Sequence, residues 1–379
     1  MRFESGLKLT MRATLILATC STAYADDVVK IGHVAPLTGG MAHLGKDNEN
    51  GATLAIEEIN AKGLLIAGRK IKLLLDTQDD AGDPRTATQV AQKLVDDNVV
   101  AVVGHMNSGT TIPASRIYSD AGILQISPSA TNPAYTLQGF KTTYRLVTTD
   151  AQQAPAIATY AASKLQVRSV AIVDDSTAYG QGLATEFEKQ ARALGIKIIS
   201  RDATNDRAVD FRAILTKIKG GNPDAIMYGG MDATGGPFAK QARQLGVKAK
   251  FLGGDGVCSP KLSELAGQAA DDVICSEPGQ ALQKMPQGAA FAEKYEKRYG
   301  HSLQVYAPAA YDAVYIIVDA MKRANSTDPK KIVAVMPVTD YHGVTGEALF
   351  DSKGDLRHGV ISLYHYVSGK KKLLDSVSM

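Results

Sequence analysis

The sequence lacks three features that would each define a large class of proteins: a long apolar run, an excess of one charge, and many cysteines. After residue 25, no segment approaches the ~20 apolar residues that a membrane helix needs. The formal net charge is only +3 over 379 residues, so we expect no nucleic-acid partner. Hydrophobic residues make up 45% and charged residues 21% of the chain, as in a globular protein of roughly two or three domains.

The first 25 residues have the pattern of a secretory signal peptide. Three basic residues precede the apolar run 13–18, and Ala23–Ala25 fits a small-x-small cleavage site. We therefore expect cleavage after Ala25 and export of a soluble chain. A weaker pattern at 17–20 is similar to a lipoprotein cleavage site, so lipidation of Cys20 is the alternative.

Removal of that segment leaves two cysteines, Cys258 and Cys275. An even number in an oxidising compartment indicates a disulfide, and we predict that these two residues are joined. The alternative is a pair of separate buried thiols.

Strand and helix patterns alternate from Val28 to about Val318, which predicts parallel sheets with helices on both faces. The predicted strands are too many for one core, so we expect an α/β fold of two doubly wound lobes, with a central ligand cleft and several crossovers between them. Residues 26–149 and 278–361 are assigned to lobe I, and residues 150–277 and 362–379 to lobe II. The predicted strands are Val28–Val34, Ile71–Asp76, Val99–Val103, Ile123–Ile126, Val170–Val173, Lys197–Ser200, Ala225–Gly229, Lys250–Gly253, Val273–Cys275, Ala348–Phe350 and Val360–Val367. The predicted helices are Gly51–Ala61, Arg85–Asp97, Arg116–Ala121, Gly180–Leu194, Phe211–Gly220, Phe238–Leu245, Gly288–Tyr299 and Pro308–Arg323.

The segment Val99–Pro133 is the most informative part of the chain, because two of its strands end in hydroxyl-rich turns. Asn107, Ser108 and Thr110 follow the first strand and supply capping oxygens, and residues 127–131 follow the second. Ligands of open parallel sheets collect beyond the carboxyl ends of the strands. Hydroxyls and free amides suit a small anion such as a carboxylate, and no nucleophile with its base accompanies them. The segment therefore predicts binding rather than catalysis.

Two motifs that suggest other chemistry are better explained by chance. The segment Gly40–Asp47 nearly matches a phosphate-binding loop, but Asp47 stands where a Ser or Thr should reach magnesium, and it would repel phosphate. His33, His43 and His105 have no metal-ligand spacing. We expect these histidines at the surface or behind the site, with no metal or cofactor bound.

Two further strand ends offer polar groups to a cleft. The segment Asp174–Gly182 presents Tyr179, with Asp175 or Ser176 as a helix cap. The segment Gly253–Gly256 presents one carboxylate, which is either a turn residue or a counter-ion for an ammonium group.

Together these motifs resemble those of the periplasmic leucine/isoleucine/valine-binding proteins of ABC transporters, over almost the whole chain after residue 25. The resemblance implies a type I periplasmic binding protein fold, a periplasmic location and delivery of the ligand to a membrane permease. Each motif is weak alone, but the order and spacing of the set match. The set is Gly39–Gly45, Gly51–Gly63, Asp79–Pro84, Gly104–Ser108, Pro128–Thr131, Tyr179–Gly182, Tyr228–Gly230, Gly254–Gly256 and Phe350–Asp355.

The resemblance also implies roles for individual residues. The Ser108 hydroxyl and main-chain amides at Ser108 and Thr131 would hold the α-carboxylate of the ligand. The ammonium group would meet the Ser129 carbonyl, the Thr131 hydroxyl and Asp255, and Tyr179 would close over the ligand from the second lobe. The predicted site also includes Met106, Asn107, Ala130, Leu44, Met231 and Tyr306.

The chain departs from the family pattern at several positions. Asp255 stands where a glutamate is usual, so its reach is one methylene shorter. Met231 and Leu44 replace aromatic residues, so the pocket loses hydroxyls and gains flexible apolar surface. Gly82 and Asn107 stand at the positions of a cysteine pair.

We therefore predict a monomeric binding protein, not an enzyme, that closes on an aliphatic, branched-chain amino acid and presents it to an ABC-transporter permease. The alternatives on the same fold are a sensor of a small amide, and a binder of aromatic amino acids or other carboxylates. A secreted hydrolase that uses the cleft histidines is a more remote alternative, as is a structural envelope protein.

Overall fold

The computed structural model describes residues 27–379, so the predicted signal peptide, its cleavage site and Cys20 lie outside the described residues. The described residues form fifteen strands and twelve α-helices. The strands are β1 (Asp27–Ala35), β2 (Leu64–Ile66), β3 (Arg69–Asp79), β4 (Ala101–Gly104), β5 (Leu124–Ser127), β6 (Thr143–Arg145), β7 (Ser169–Asp174), β8 (Lys197–Ala203), β9 (Ala225–Gly229), β10 (Lys250–Gly253), β11 (Val273–Pro278), β12 (Asp340–Gly343), β13 (Gly346–Leu349), β14 (Val360–Val367) and β15 (Lys370–Ser378). The α-helices are α1 (Ala42–Lys62), α2 (Pro84–Asp96), α3 (Ser108–Ala121), α4 (Ala134–Leu137), α5 (Asp150–Ser163), α6 (Ala178–Ala193), α7 (Arg212–Gly221), α8 (Asp232–Gln244), α9 (Lys261–Ala266), α10 (Gly288–Tyr299), α11 (Ala307–Ala324) and α12 (Pro329–Val335).

Two large sheets form the centres of two lobes. The first has the strand order β2-β3-β1-β4-β5-β6 and is parallel except for β2. The second has the order β15-β14-β11-β10-β9-β7-β8, and in it only β14 runs antiparallel to its neighbours, β11 and β15. Strands β12 and β13 form a separate hairpin. The predicted α/β fold with two doubly wound lobes is confirmed.

Helices cover both faces of each sheet, which explains why the central strands are apolar on both sides. On β1, Ile31 faces the cluster formed with α1 and α11, whereas Val34 faces the cluster formed with α2 and α3. On β7, Ile172 packs with α5 and α6, and Val173 packs with α7 and α8. None of the helices in residues 27–379 combines the length and apolar composition required to span a bilayer.

The chain passes between the two sheets three times: between β6 and β7, after β11, and before β14. Helices α11 and α12 return to the first sheet, where α11 packs along α1. The three crossovers place the amino ends of both α5 and α11 near the interface between the lobes. The lobe boundaries at 149/150, 277/278 and 361/362 stay a prediction.

Several predicted limits are wrong. Helices α1, α3 and α8 begin at Ala42, Ser108 and Asp232 rather than at Gly51, Arg116 and Phe238. Four helices (α4, α5, α9 and α12) and four strands (β2, β6, β12 and β15) were not predicted. Most of these elements are short or lie at an edge. Helix α5 is long, but it is buried on most sides and therefore lacks an amphipathic pattern.

The predicted disulfide is confirmed, and separate thiols are ruled out. Cys258 and Cys275 are joined, with Cα atoms 5.4 Å apart. Cys258 directly follows the short turn Asp255–Val257, and Cys275 lies in β11. The bond therefore fixes the turn that carries Asp255 to the second sheet.

Removing this disulfide is expected to lower the free energy of unfolding by about 3 kcal/mol, because the bond closes a loop with a sequence separation of 17 residues in the unfolded chain. Urea unfolding with and without a reductant measures the difference. A Cys258→Ala/Cys275→Ala double variant is the control, since a reductant cannot change its unfolding. Equal stability of the parent protein in the two conditions would contradict the prediction.

Candidate functional site

The carboxyl ends of β4 and β5 lie side by side and form one wall of the cleft. Ser108 is the first residue of α3, and its Oγ accepts a 3.2 Å hydrogen bond from the Asn132 amide. Ser129 Oγ donates to the Met106 carbonyl at 2.9 Å. The hydroxyl of Thr131 is buried beside the carboxylate of Asp150. Because the first amides of a helix have no partner within the helix, the beginning of α3 offers N–H groups to an anion.

The predicted capping of α3 is wrong in detail. Asn107 is the N-cap residue, but its side chain makes no capping bond, and its amide donates instead to Met41 Sδ at 3.1 Å. The Thr110 hydroxyl donates to the Asn107 carbonyl rather than accepting from an amide. Met41 also fills the space beside Gly82, where an added Cβ would lie 2.6 Å from Met41 Cε. A methionine therefore lies between the two positions where the resemblance places a cysteine pair.

A buried arginine holds the loop that follows β5. Arg145 Nη1 donates to the carbonyls of Ala130 (2.8 Å) and Asn132 (3.0 Å), and Nε donates to Asp355 Oδ1 at 2.7 Å. Arg145 Nη2 donates to the Thr136 hydroxyl at 2.8 Å. The guanidinium group is therefore used to support the wall from behind.

Asp255 forms the polar centre of the opposite wall. It is 2% exposed, and its carboxylate accepts three side-chain hydrogen bonds. Oδ1 accepts from Gln153 Nε2 (2.8 Å) and from the Tyr179 hydroxyl (3.0 Å), and Oδ2 accepts from the Tyr306 hydroxyl (2.6 Å). Burial raises the pKa of Asp255, and these three donors oppose the rise.

The cleft is closed in this structure. Besides the hydrogen bond from Tyr306, two side-chain contacts cross the cleft from one lobe to the other. His43 Nε2 lies 2.8 Å from Asp232 Oδ2. Asn132 Nδ2 donates to the Ala178 carbonyl at 2.7 Å. These contacts bring the two polar walls together.

The predicted apolar residues lie on both sides of the closed cleft. Leu44, Met106 and Tyr306 belong to one buried apolar cluster. Met231 lies on the other lobe, where a Cβ added to Gly256 would be 2.9 Å from Met231 Sδ. The structure therefore brings these side chains near the two polar walls, whereas the amide of Asn107 points to Met41. The ligand-binding roles of all these residues stay a prediction.

Asp47, the last residue of the near match to a phosphate-binding loop, has a structural role. Its buried carboxylate, on α1, accepts hydrogen bonds of 2.8 to 3.1 Å from the backbone amides of Gln304, Val305, Tyr306 and Ala307. Burial raises the pKa of Asp47, and the four amides oppose the rise. The acid holds the beginning of α11 and thereby places Tyr306 in the cleft.

His33 and His105 are buried near each other, whereas His43 lies apart from them at the cleft. His105 Nδ1 is 2.9 Å from Asp80 Oδ2, and its Nε2 is 3.0 Å from the Tyr118 hydroxyl. Burial lowers the pKa of His33 to about 4. His33 and His105 are fully buried, so a surface position is wrong for both. His105 lies behind the wall formed by β4 and β5, and a position behind the site was the other one expected for these histidines.

Sequence reasoning missed Gln153 and Asp150, which α5 supplies to the second wall. A signal for the start of this helix was present. Thr149 and Gln152 form a capping box, in which each side chain bonds to the backbone of the other residue. The helix cap expected at Asp175 or Ser176 is instead Thr177, whose hydroxyl accepts from the Gly180 amide.

Comparisons with known proteins agree with the architecture. A sequence model of a family described as "Periplasmic binding protein" matches residues 28–369. The leucine-, isoleucine-, valine-, threonine-, and alanine-binding protein of Pseudomonas aeruginosa is 32% identical over 354 residues, which are 93% of this chain and 94% of that protein.

Two solved structures have the same arrangement of lobes but different ligands. The branched-chain amino acid transporter substrate binding protein LivJ of Streptococcus pneumoniae, in complex with isoleucine, has a TM-score of 0.85 and 28% identity, covering 93% of this chain and 100% of that chain. A solute binding protein of an ABC transporter from Rhodopseudomonas palustris, in complex with 3,4-dihydroxy benzoic acid, has a TM-score of 0.81 and 25% identity, covering 93% and 98%. The fold is therefore compatible with more than one class of carboxylate.

Proposed function

The chain belongs to the periplasmic binding protein family, and on this premise we propose that it is the solute-binding protein of an ABC importer for aliphatic amino acids, above all branched-chain ones. The arrangement of the two walls carries this proposal. The beginning of α3 offers amides and the Ser108 hydroxyl, which suit a carboxylate. The opposite wall offers the buried carboxylate of Asp255, which suits an ammonium group. An α-amino acid carries both groups on adjacent atoms.

Closure of the cleft is the proposed mechanism, and no catalytic step is involved. A ligand that bridges both walls binds the closed state better than the open one, and this difference in affinity drives closure. Each charge-assisted hydrogen bond contributes roughly 1.5–3 kcal/mol. Several such bonds support micromolar binding, about −8 kcal/mol.

The apolar residues determine the preference for the side chain. Leu44 and Met231 are flexible and lack hydroxyls, which favours aliphatic side chains over polar ones. Met106 adds a third apolar side chain beside the wall that binds the carboxylate.

The proposal extends to the cellular context. We place the monomeric chain in the periplasm after cleavage behind Ala25, with a membrane permease as its partner. Lobe I comprises residues 26–149 and 278–361, and lobe II comprises residues 150–277 and 362–379.

A thermal-shift screen tests the proposed function. At a hundredfold excess of ligand over Kd, a bound amino acid is expected to add about 2.7 kcal/mol to the free energy of unfolding, which raises Tm. The screen covers all amino acids, aromatic and aliphatic carboxylates and short amides. A shift confined to amides or to aromatic carboxylates would replace the proposed ligand class, and the absence of any shift would contradict a binding function.

A further inference from the structure

An exposed face at the edge of the first sheet combines aliphatic side chains with lysines. Side chains alternate between the two faces of a strand, and along β1, β2 and β3 one alternate set packs in the core with α1 and α11. The other set faces outward. In the register of the strands, each of its lysines lies directly opposite an aliphatic residue of the neighbouring strand. We call this set the outer patch, and its members are Val28, Lys30, Leu65, Lys70, Lys72 and Leu74.

The aliphatic side chains of the outer patch are left in water. Val28 is 57% exposed, Leu65 is 63% exposed and Leu74 is 42% exposed. Helix α2 covers the same face of β1 further along, where a Cβ added to Gly32 would lie 2.9 Å from Leu94 Cδ1. Exposed aliphatic residues that are scattered singly are ordinary on a protein surface, but these three lie on adjoining strands. Such a grouping is typical of an interaction surface.

A basic groove adjoins the outer patch. It has a volume of about 500 Å³, and the residues that line it include Lys62, Lys70 and Lys72 but no acid. Leu65 lines it as well, so the groove and the patch are continuous. Ammonium groups that converge on one groove favour an anionic group such as a phosphate.

The acids in this part of the lobe lie beside other cations. Asp27 pairs with Arg69 at 2.8 Å. Asp97 pairs with Lys93, and Asp76 also acts on Lys93. These acids therefore do not balance the charge of the lysines in the groove.

The outer patch lies away from the cleft and beside the start of the described chain. It lies toward the amino ends of β1 and β3, whereas the cleft is formed at the carboxyl ends of β4 and β5. Contact at the patch therefore leaves the cleft free to open and close. The 26 residues before Asp27 join the lobe beside Val28. A lipid on Cys20, the alternative to a cleaved signal peptide, would be at most about 30 Å of extended chain from Val28.

We propose that the outer patch and the groove dock this protein on the surface of an anionic phospholipid bilayer. The lysines bind the phosphate headgroups, while Val28, Leu65 and Leu74 enter the interfacial region. A second copy of the chain is a poorer partner, because two such patches face to face would bring lysines together. The inference goes beyond the proposed function, and it gives a binding protein a way to stay close to a permease in the same membrane.

The test is sedimentation of the chain from Asp26 onward with lipid vesicles. Vesicles of equal parts phosphatidylglycerol and phosphatidylcholine are expected to bind it, whereas vesicles of phosphatidylcholine alone bind it weakly. Raising the salt concentration should weaken the binding. Each lysine near an anionic surface strengthens binding about fivefold, so Lys70→Ala/Lys72→Ala is expected to bind about 25-fold more weakly. Leu65→Ser should reduce binding at high salt too, because its contribution is apolar.

The matched control is Lys189→Ala/Lys217→Ala, which removes the same charge from exposed positions on the second lobe. Its vesicle binding should change by less than about twofold, because charges far from the docked face are screened. An equal loss in both double variants would overturn the patch, since net charge alone would then explain the binding. Leucine binding measures folding, and Lys70→Ala/Lys72→Ala should keep the parent affinity.

Two further results would overturn bilayer docking. The first is equal binding of the parent to the two kinds of vesicle, or none to either. The second is binding of inorganic phosphate by the groove, measured by calorimetry, without any binding of vesicles. Neither result bears on the proposed function, which fails only if the protein binds none of the ligands of the thermal-shift screen.

Discussion

Replacing Asp255 by alanine is expected to weaken amino-acid binding by about 2–5 kcal/mol, roughly 30- to 4,000-fold in Kd. The substitution leaves a buried ammonium group without its counter-ion. It also removes the acceptor for Tyr306, whose 2.6 Å hydrogen bond crosses the closed cleft. Both losses act in the same direction, because one weakens ligand contacts and the other destabilises the closed state.

Two further variants separate these contributions to affinity. Tyr306→Phe removes only the hydrogen bond across the cleft, so a loss of about 1 kcal/mol is expected. Asp255→Asn keeps the size of the side chain but removes its charge. Its loss of affinity should fall between those of Tyr306→Phe and Asp255→Ala. Titration calorimetry on the three variants measures the order of these losses. Unchanged affinity in Asp255→Ala would show that Asp255 is not part of the site.

Replacing Asp47 by alanine is expected to lower the free energy of unfolding by about 3–5 kcal/mol. The substitution leaves four backbone amides at the start of α11 without their acceptor, in a buried position. Urea unfolding measures this loss. Ligand affinity should fall as well, because the same amides position Tyr306.

Glu49→Ala is the matched control for this stability prediction. Glu49 lies on the same helix, with a side chain that is 17% exposed, and pairs with Lys46, whose side chain is 62% exposed. The loss of this ion pair at the edge of the helix is expected to cost about 1 kcal/mol or less, because its cation is solvated. Similar losses in the Asp47 and Glu49 variants would show that the four amides do not depend on Asp47.

Much of the site could be predicted because parallel sheets bring the carboxyl ends of their strands to one edge. Ser108 and Thr131 follow neighbouring strands, so their proximity was expected from the alternation of elements. Tyr179 and Asp255 could be placed in the second lobe for the same reason, since each follows a strand of that sheet.

The parts of the site on α5 and at the start of α3 could not be predicted, because these segments lack the apolar periodicity on which helix prediction depends. Helix α5 is buried on most sides and contains Pro155, so no apolar stripe marks it. The first turns of α3 contain Gly109 and Pro113 with several hydroxyl residues, all poor indicators of a helix. Packing stabilises the start of α3, where the Thr111 hydroxyl donates to the carbonyls of both His105 and Asn107.

The sequence by itself predicted the two α/β lobes, the strand ends that line the cleft, and, as the favoured alternative, the pairing of the two cysteines. It did so because each of these depends on local patterns or on residue counts. Only the tertiary structure decided which donors hold two buried acids, of which Asp47 has four amide donors and Asp255 has three side-chain donors. The donors come from residues as far away as 102 positions for Asp255 and 260 positions for Asp47. The free energy of a buried carboxylate depends on those donors, and neighbours in the chain do not reveal them.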